Sequence, residues 1–298
     1  MSVRTHGTAP AVTSTTGDPL YDRVAQESAR AVIAGYSTSF GWACRLLTEP
    51  VRTHVRNVYA LVRVADELVD GPAAAADPAQ AGKELDALEA QTLDSVTTGH
   101  STNLVVHAFA LTARACGIGP DLVTPFFASM RTDLSVTTHD ARTLQDYVYG
   151  SAEVVGLMCL RVFLAAPDAG GAASYDDLAP GARRLGAAFQ KVNFLRDLGA
   201  DQDLRGRTYL PGTDRLGAAR RDELLDDIDA DLAAAAVAVA QLPPSSRRAV
   251  RAAHDLFAAL SRRLRAVPAG RLRAARVRVP NRGKAWILVR ACVVGGRT

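Results

Sequence analysis

Apolar residues recur at helical spacing along almost the whole chain, and most breaks in this pattern fall at or beside prolines. Alternating, strand-like runs are scarce, whereas alanine and other helix-favouring residues are abundant. We therefore expect an all-α protein. The pattern predicts helices over about residues 19–35, 50–70, 77–99, 102–117, 120–137, 143–166, 174–201, 219–241, 245–266 and 268–290.

No linker divides the 298 residues, and a hydrophobic content of 48% is enough for one core. We predict a single helical domain over residues 19–290, with tails at 1–18 and 291–298. The first tail is polar and has no apolar segment, so we expect a disordered tail and not a signal sequence. No run of about 18 apolar residues occurs, which predicts a cytoplasmic protein without a membrane span.

The cysteines and histidines form no recognisable metal or catalytic pattern. The four cysteines are widely spaced and form no CxxC pair, which predicts reduced core residues: Cys44, Cys116, Cys159 and Cys292. The histidines are dispersed along the sequence, so we expect neither a zinc site nor a Ser-His-Asp triad.

The net charge of +4 is unevenly distributed. From Ser245 onward, 13 Arg and one Lys stand against one Asp, which gives +13, so residues 1–244 carry −9. A basic end suits an anionic ligand or a membrane surface, and solvated arginines on helix faces are the alternative. We do not expect nucleic-acid binding, because Trp286 is the only aromatic residue in the basic stretch 271–290.

The stretch VYALVRVADELVDG places charged residues in the middle of an apolar helix. Four polar residues, separated by four, three and four positions, form one stripe along it: Tyr59, Arg63, Asp66 and Asp70. Glu67 lies about 100° around the helix from Asp66, so it is the weakest candidate ligand of the three acids.

A second apolar helix, AFQKVNFLRDLGAD, repeats this arrangement. Its polar residues are separated by three, four and four positions: Gln190, Asn193, Asp197 and Asp201. Both helices therefore carry Asp-x-x-x-Asp on a single face. We call these two sets of four residues the first and the second acidic stripe.

Two acidic stripes that face a partly dry cavity need cations. Two carboxylates about 6 Å apart repel by roughly 3 kcal/mol at an effective dielectric near 20, whereas a like-charged pair on a solvated face costs only about 0.2 to 0.5 kcal/mol. Mg²⁺ takes hard oxygen ligands and bridges carboxylates to phosphates. We therefore predict facing helices that hold a diphosphate through shared Mg²⁺ ions; ordinary acids on solvated helices are the alternative. Arginines that would contact the phosphates are Arg63, Arg196, Arg205 or Arg207.

Five motifs resemble, in the same order, those of the squalene and phytoene synthases, the head-to-head branch of the all-helical trans-prenyltransferases. The motifs are YSTSF (36–40), VYALVRVADELVD (58–70), YVYGSAEVVGLM (147–158), FQKVNFLRDLGAD (189–201) and RGRTYLP (205–211). The resemblance covers roughly residues 20–290. The wording of the motif sequences is most similar to that of phytoene-synthase-type proteins of actinobacteria. It implies an isoprenoid-synthase helical bundle around a central cavity.

The resemblance also implies roles for individual residues. Those that match metal ligands are Asp66, Asp70, Asn193, Asp197 and Asp201. Those that match the lining of the diphosphate site are Tyr59, Arg63, Gln190, Arg196 and Tyr209. The YSTSF motif, which receives one diphosphate, contributes Ser37, Ser39 and Phe40, with Tyr36 where some members have His. Tyr147 matches a central tyrosine of the reaction cavity, so the implied catalytic set is Tyr147, Arg63, Asp66 and Asp197.

Some positions depart from the family pattern or stay ambiguous. Phe257 stands where some members use a tyrosine near the diphosphate. The arginine that the family has in its C-terminal region is here Arg276, Arg278 or Arg282. In YVYGSAEVVGLM, small residues such as Ala152 and Gly156 either line a tunnel for a long prenyl chain or allow close helix packing, since glycine inside a helix costs about 1 kcal/mol.

The resemblance implies an enzyme that ionises an allylic isoprenyl diphosphate with Mg²⁺. In the phytoene synthase version, two geranylgeranyl diphosphates join head to head through a cyclopropyl diphosphate, and the expelled diphosphate or Tyr147 takes the final proton. Two alternatives stay open: an enzyme of this architecture that transfers one prenyl group to an aromatic acceptor such as a carbazole, and a non-catalytic lipid-binding protein. Contact with a membrane surface would suit a water-insoluble product.

Overall fold

A computed structural model describes residues 18–36, 39–171, 173–213, 216–274 and 276–280, together with positions 283 and 287. Only the backbone is described at 39, 40, 42, 204 and 205. The predicted tails, apart from Asp18, lie outside the described residues.

The described residues form helices joined by short loops and contain no β-strand, which confirms the all-α prediction. The helices are α1 (Pro19–Tyr36), α2 (Ser39–Cys44), α3 (Val51–Asp70), α4 (Pro72–Ala76), α5 (Pro78–Thr98), α6 (Leu104–Cys116), α7 (Pro120–Thr132), α8 (Ala141–Val148), α9 (Val154–Leu164), α10 (Tyr175–Arg205), α11 (Ala218–Ala240) and α12 (Pro244–Ala266). A π-helical turn, Tyr149–Glu153, joins α8 to α9, and a 3₁₀ turn, Ala269–Arg271, follows α12.

Short polar residues and glycines mark helix ends. A capping box begins α8, because the Asp140 side chain accepts from the Thr143 backbone and the Thr143 hydroxyl accepts from the Asp140 backbone. Ser174 and Asp177 form a second capping box at the start of α10. Gly206, with φ at 65°, ends α10 in the left-handed conformation. Local capping residues therefore determine both ends of α10, the helix that carries the second acidic stripe.

Two apolar clusters make up most of the core. One is built mainly from α3, α6, α7 and α9, with Leu61, Phe109 and Phe126 fully buried. The other is built from α8, α10, α11 and α12, with Leu195 and Leu225 fully buried. Because α3 contributes to the first cluster and the part of α10 that carries the second acidic stripe contributes to the second cluster, the two stripes are supported by different clusters.

The cysteines that the structure describes are free thiols, as predicted. Cys44 and Cys116 are buried, Cys159 is partly buried, and Cys292 lies outside the described residues. Burial raises the pKa of Cys44 to about 12 and that of Cys116 to about 11, so both thiols stay protonated at neutral pH.

The prediction of one continuous helix over 268–290 is wrong for the described residues from 268 to 280. After the 3₁₀ turn, residues 276–280 have no helical structure, although positions 283 and 287 are helical. Val277 and Val279 are β-branched and alternate with arginines, and Pro280 disfavours helical backbone in the residue before it.

Other helix boundaries also differ from those predicted. The helix predicted over 120–137 ends at Thr132, α10 continues to Arg205, and the short helices α2 and α4 were not predicted. The helix predicted over 143–166 is interrupted by the π-helical turn. There Gly150 lies so close to Pro125 and Ser129 of α7 that a Cβ atom would clash with both.

In the part of the chain that the structure describes, one helical stretch, Ala141–Leu164, is apolar and long enough to cross a membrane by length and composition alone. Half of its most apolar window is buried inside the bundle, as is usual for core helices of globular proteins.

Candidate active site

The first acidic stripe lies on a different face of α3 from the side chains that enter the core. The buried apolar residues of α3 include Val58, Leu61, Ala65 and Val69. Arg63 donates to both Asp66 and Glu67, and its guanidinium lies 4.4 Å from the ring centroid of Tyr36 at the end of α1. Tyr59 is half-buried and packs against the first core cluster. One arginine therefore balances two acids of this motif.

The second acidic stripe lies on α10, whose other faces bury Val192, Leu195 and Leu198. All four stripe residues are partly exposed: Gln190, Asn193, Asp197 and Asp201. The Asp197 carboxylate accepts from Nε of Arg196 at 3.1 Å and lies 2.8 Å from Nε of Arg276. Among the C-terminal arginines considered from the sequence, Arg276 thus contacts a predicted metal ligand; Arg282 lies outside the described residues.

The basic C-terminal segment meets α10 at a second point. Arg273 donates to Asp203 at 3.0 Å, two positions beyond the last residue of the second acidic stripe. Gly199 lies so close to the Arg273 backbone that a Cβ atom would clash with it, so this segment packs directly on α10. Together with the contact between Arg276 and Asp197, this pair shows that part of the uneven charge is matched within the protein.

Arg207 connects the two acidic stripes. Its backbone N–H donates to the carbonyl oxygen of Asp201 at 2.9 Å. Its guanidinium donates to the carboxylate of Asp70 and, at 3.1 Å, to the carbonyl oxygen of Val69. The end of the first stripe and the end of the second are therefore joined through a single buried arginine. The side chain of Arg205, another candidate from the sequence, lies outside the described residues.

A buried carboxylate that the sequence interpretation missed, Asp133, organises the surroundings of Arg207. It accepts from the hydroxyl of Tyr147 at 2.7 Å and from the hydroxyl of Tyr209 at 2.8 Å. Arg207 Nη1 lies 3.8 Å from its Oδ1. A sequence signal did exist, because Asp133 continues the buried face of α7 formed by residues such as Phe126 and Met130.

Burial has the largest effect on the pKa values of the acid and the tyrosines in this cluster. It raises the pKa of Asp133 to about 6, against the opposing effects of Arg207 and of the two tyrosine hydroxyls. Burial and the Asp133 charge also raise the pKa of Tyr147 and Tyr209 above the ordinary value for tyrosine. For Arg207, burial alone would lower the pKa, but Tyr209 and the acids Asp133 and Asp70 raise it overall. At neutral pH the tyrosines are therefore hydrogen-bond donors.

Aromatic rings surround these polar groups. Tyr209 stacks on Phe194 of α10 with ring centroids 4.4 Å apart, and the ring of His139 lies 5.7 Å away on a nearly parallel plane. Phe257, for which the resemblance implies a departure from the family pattern, stacks on Phe189 with ring centroids 3.8 Å apart. Phe189 directly precedes the first residue of the second acidic stripe, so this aromatic pair adjoins that stripe.

The small residues of the YVYGSAEVVGLM motif lie where α9 and the π-helical turn approach α10. A Cβ atom on Gly156 would lie 2.7 Å from the carbonyl oxygen of Ala182, and one on Gly186 would lie 2.5 Å from that of Ala152. Close helix packing therefore accounts for these glycines, and a substrate-binding role for Ala152 and Gly156 stays a prediction.

An apolar groove of about 410 Å³ opens beside the first acidic stripe. Its lining includes Val32 of α1 together with Val64 and Leu68 of α3, and Arg63 and Glu67 lie at the same groove. Apolar surface thus begins directly beside the arginine of the first stripe. In the YSTSF motif, Ser37 lies outside the described residues, as do the side chains of Ser39 and Phe40.

Two histidines that are seven positions apart in the sequence lie close together. The rings of His100 and His107 lie 5.3 Å apart beside Tyr21, and Nε2 of His107 lies 2.7 Å from a carboxylate oxygen of Asp22. The backbone N–H of Ser101 donates to Nδ1 of His107. This cluster anchors the start of α1 to α6 and its preceding loop, whereas the first acidic stripe adjoins the other end of α1.

The residues of the two stripes fit a metal–diphosphate site by their chemistry. Within the described part of the chain, no group of three or more acids, histidines or cysteines could hold a metal ion by itself. Carboxylate and amide oxygens are nevertheless the donors that Mg²⁺ prefers, with phosphate oxygens completing its coordination. Among the described residues, Nε of Arg63 is one of the buried polar atoms without a hydrogen-bond partner, so polar capacity remains for a ligand beside the first acidic stripe.

The known proteins that match this chain agree on one family. The family described as squalene/phytoene synthase matches residues 33–283. A 15-cis-phytoene synthase of a Paracoccus species is 31% identical over 278 residues, which cover 80% of this chain and 81% of that protein. A 4,4'-diapophytoene synthase of Staphylococcus haemolyticus is 29% identical over 179 residues, 60% of this chain and 59% of that protein.

A solved structure, that of a dehydrosqualene synthase in complex with a ligand, has a similar fold. It matches with a TM-score of 0.77 at 22% identity, over 94% of this chain and 99% of that one. The family match spans most of the residues between the two predicted tails and includes both acidic stripes. The chain therefore belongs to the squalene/phytoene synthase family of prenyltransferases.

Proposed function

We propose that the protein joins two prenyl diphosphates head to head after ionising an allylic one at the two acidic stripes. The observation that carries this proposal is the position of Arg207, whose backbone binds Asp201 and whose guanidinium binds Asp70. The two acidic stripes are thereby joined at one end. Such an arrangement suits a ligand with several negative charges that must be held from both helices.

The metal ligands that we propose are Asp66, Asp70, Asn193, Asp197 and Asp201. When bound there, Mg²⁺ would neutralise the diphosphate and make it a better leaving group. Arg63, Arg196 and Arg276 contact these acids, which supports a role for their guanidinium groups in binding phosphate oxygens as well.

The aromatic residues behind the stripes would protect the carbocation that ionisation leaves. Tyr147, Phe194 and Tyr209 are buried, and their rings are in contact, which excludes water from this region. The faces of aromatic rings attract positive charge. Because its hydroxyl is engaged with Asp133, Tyr147 would act through its ring and as a fixed hydrogen-bond donor.

For the substrate, we propose geranylgeranyl diphosphate, with phytoene as the product through a cyclopropyl diphosphate. The relative named as a 15-cis-phytoene synthase supports this choice. Farnesyl diphosphate is the competing donor, because another relative is named as a 4,4'-diapophytoene synthase. The apolar groove beside Arg63 supports a prenyl substrate, because it places apolar surface next to a phosphate-binding candidate.

The test is incubation of the purified protein with Mg²⁺ and, separately, geranylgeranyl, farnesyl and dimethylallyl diphosphate, each with and without an aromatic acceptor such as carbazole. We expect a hydrocarbon of twice the donor's carbon number without an acceptor, formed fastest from geranylgeranyl diphosphate, and none after chelation of the metal. A prenylated acceptor as the main product would contradict head-to-head condensation. No diphosphate release from any donor would contradict the enzymatic proposal altogether.

A further inference from the structure

The guanidinium of Arg207 lies between two carboxylates. Nη1 donates to Asp70 of the first acidic stripe and lies 3.8 Å from Oδ1 of Asp133. The same nitrogen donates to the hydroxyl of Tyr209 at 3.2 Å, and that hydroxyl donates to Asp133 at 2.8 Å. Asp133 therefore acts on the guanidinium both directly and through a tyrosine.

The position of Arg207 is fixed by contacts that involve neither carboxylate side chain. Nη2 donates to the carbonyl oxygen of Val69 at 3.1 Å. The backbone N–H of Arg207 is bound to Asp201, and the next residue, Thr208, donates to the carbonyl oxygen of Thr137 at 2.7 Å. The guanidinium is thus held where both acids reach it.

Among the described contacts, the guanidinium of Arg207 is shared by two acids, Asp70 and Asp133. The Asp133 side chain is 5% exposed and that of Arg207 is 11% exposed, so solvent screens their interaction only weakly. If the charge of Asp133 were absent, Asp70 would be the only one of these two acids to share the positive charge of the guanidinium. A carboxylate neutralised in this way is a weaker ligand for a hard cation, whose affinity depends on the charge of its ligands.

We propose that Asp133 is a positioning residue for the metal site: through Arg207 it draws positive charge away from Asp70 and so keeps that carboxylate available as a ligand. This inference rests on the proposed function, in which Asp70 binds the metal. Asp133 itself contacts Arg207 and two tyrosines, and it is not one of the proposed ligands.

The test compares metal binding by the whole chain with and without the charge at position 133. Mn²⁺ replaces Mg²⁺, inorganic diphosphate serves as the second ligand, and the free Mn²⁺ is measured by electron paramagnetic resonance at a fixed, mildly alkaline pH. We expect Asp133→Asn to weaken Mn²⁺ binding about tenfold, which corresponds to about 1.4 kcal/mol. We expect Asp133→Glu, which keeps the charge, to restore most of the affinity.

Asp231→Asn is the matched control. Asp231 is also a buried carboxylate, 1% exposed, and it is shared by two cations, Arg184 and Lys191, between α10 and α11. Its removal disturbs a buried ion pair without touching the groups around Arg207. We expect Mn²⁺ binding by this variant to stay within about twofold of the wild type, which is a difference below about 0.5 kcal/mol.

Each outcome decides between explanations. Wild-type affinity in Asp133→Asn, or equal losses in Asp133→Asn and Asp231→Asn, would overturn the positioning role while leaving the proposed function intact. Failure of the wild type itself to bind Mn²⁺ with diphosphate would overturn both proposals. If Asp133→Asn does not fold, Asp133→Ser takes its place, and failure of both to fold would assign Asp133 a purely structural role against this inference.

Discussion

Replacing Asp133 with Asn is expected to change how the stability of the fold depends on pH. Burial raises the pKa of Asp133 from 3.8 to about 6. Between these values the folded protein binds a proton that the unfolded chain releases. The stabilising contribution of this proton is complete below the unfolded pKa and is lost as the pH rises through about 6, the folded pKa.

The magnitude follows from the two pKa values. A rise from 3.8 to about 6 corresponds to about 3 kcal/mol in the free energy of unfolding. About 2 kcal/mol of this loss falls between about pH 4.5 and 8, because the folded group titrates within that range. Asn at this position has no titrating proton, so the variant lacks the loss, whereas the effect of its altered hydrogen bonds changes little with pH.

The assay is denaturant unfolding of both proteins at a series of pH values, with circular dichroism and fluorescence required to give coincident transitions. The unfolding free energy of Asp133→Asn minus that of the wild type should increase by about 2 kcal/mol from about pH 4.5 to 8. A constant difference would show that burial does not raise the pKa of Asp133 and would refute the reasoning, because a carboxyl group with an ordinary or lowered pKa stays ionised across most of this range.

Two further predictions concern the stripes and the helix packing. Asp66→Ala and Asp197→Ala should each abolish diphosphate release while the circular dichroism spectrum stays unchanged, because both side chains are partly exposed; near-normal turnover in either variant would contradict the proposed metal site. Gly156→Ala should lower the free energy of unfolding by about 1 to 3 kcal/mol, since its Cβ would lie 2.7 Å from the carbonyl oxygen of Ala182. Gly35→Ala, where nothing lies within 4 Å, should be neutral or stabilising by up to about 1 kcal/mol, and equal unfolding free energies for the two variants would refute the packing argument.

The all-α fold and the two stripes could be predicted because they follow from spacing within single helices. The four residues from Tyr59 to Asp70 share a face through i,i+3 and i,i+4 relations alone, and the same holds from Gln190 to Asp201. Helix ends such as Ser174 and Gly206 also carry their own local signals.

The surroundings of Arg207 could not be predicted in this way, because they depend on tertiary contacts. Asp133 directly follows α7 and continues its buried face, but its partners Tyr147 and Tyr209 come from α8 and from the loop after α10. The π-helical turn likewise depends on the close approach of Gly150 to α7. Helical periodicity describes one element at a time, so it gives no information on which elements meet.

We propose that two prenyl diphosphates are condensed head to head at the acidic stripes. The most direct measurement is the ratio of diphosphate released to hydrocarbon formed when the protein acts on geranylgeranyl diphosphate with Mg²⁺. Head-to-head condensation to phytoene predicts two diphosphates for each hydrocarbon molecule. One diphosphate for each prenyl alcohol, with no hydrocarbon product, would show that the stripes ionise the donor without condensing it and would contradict the account.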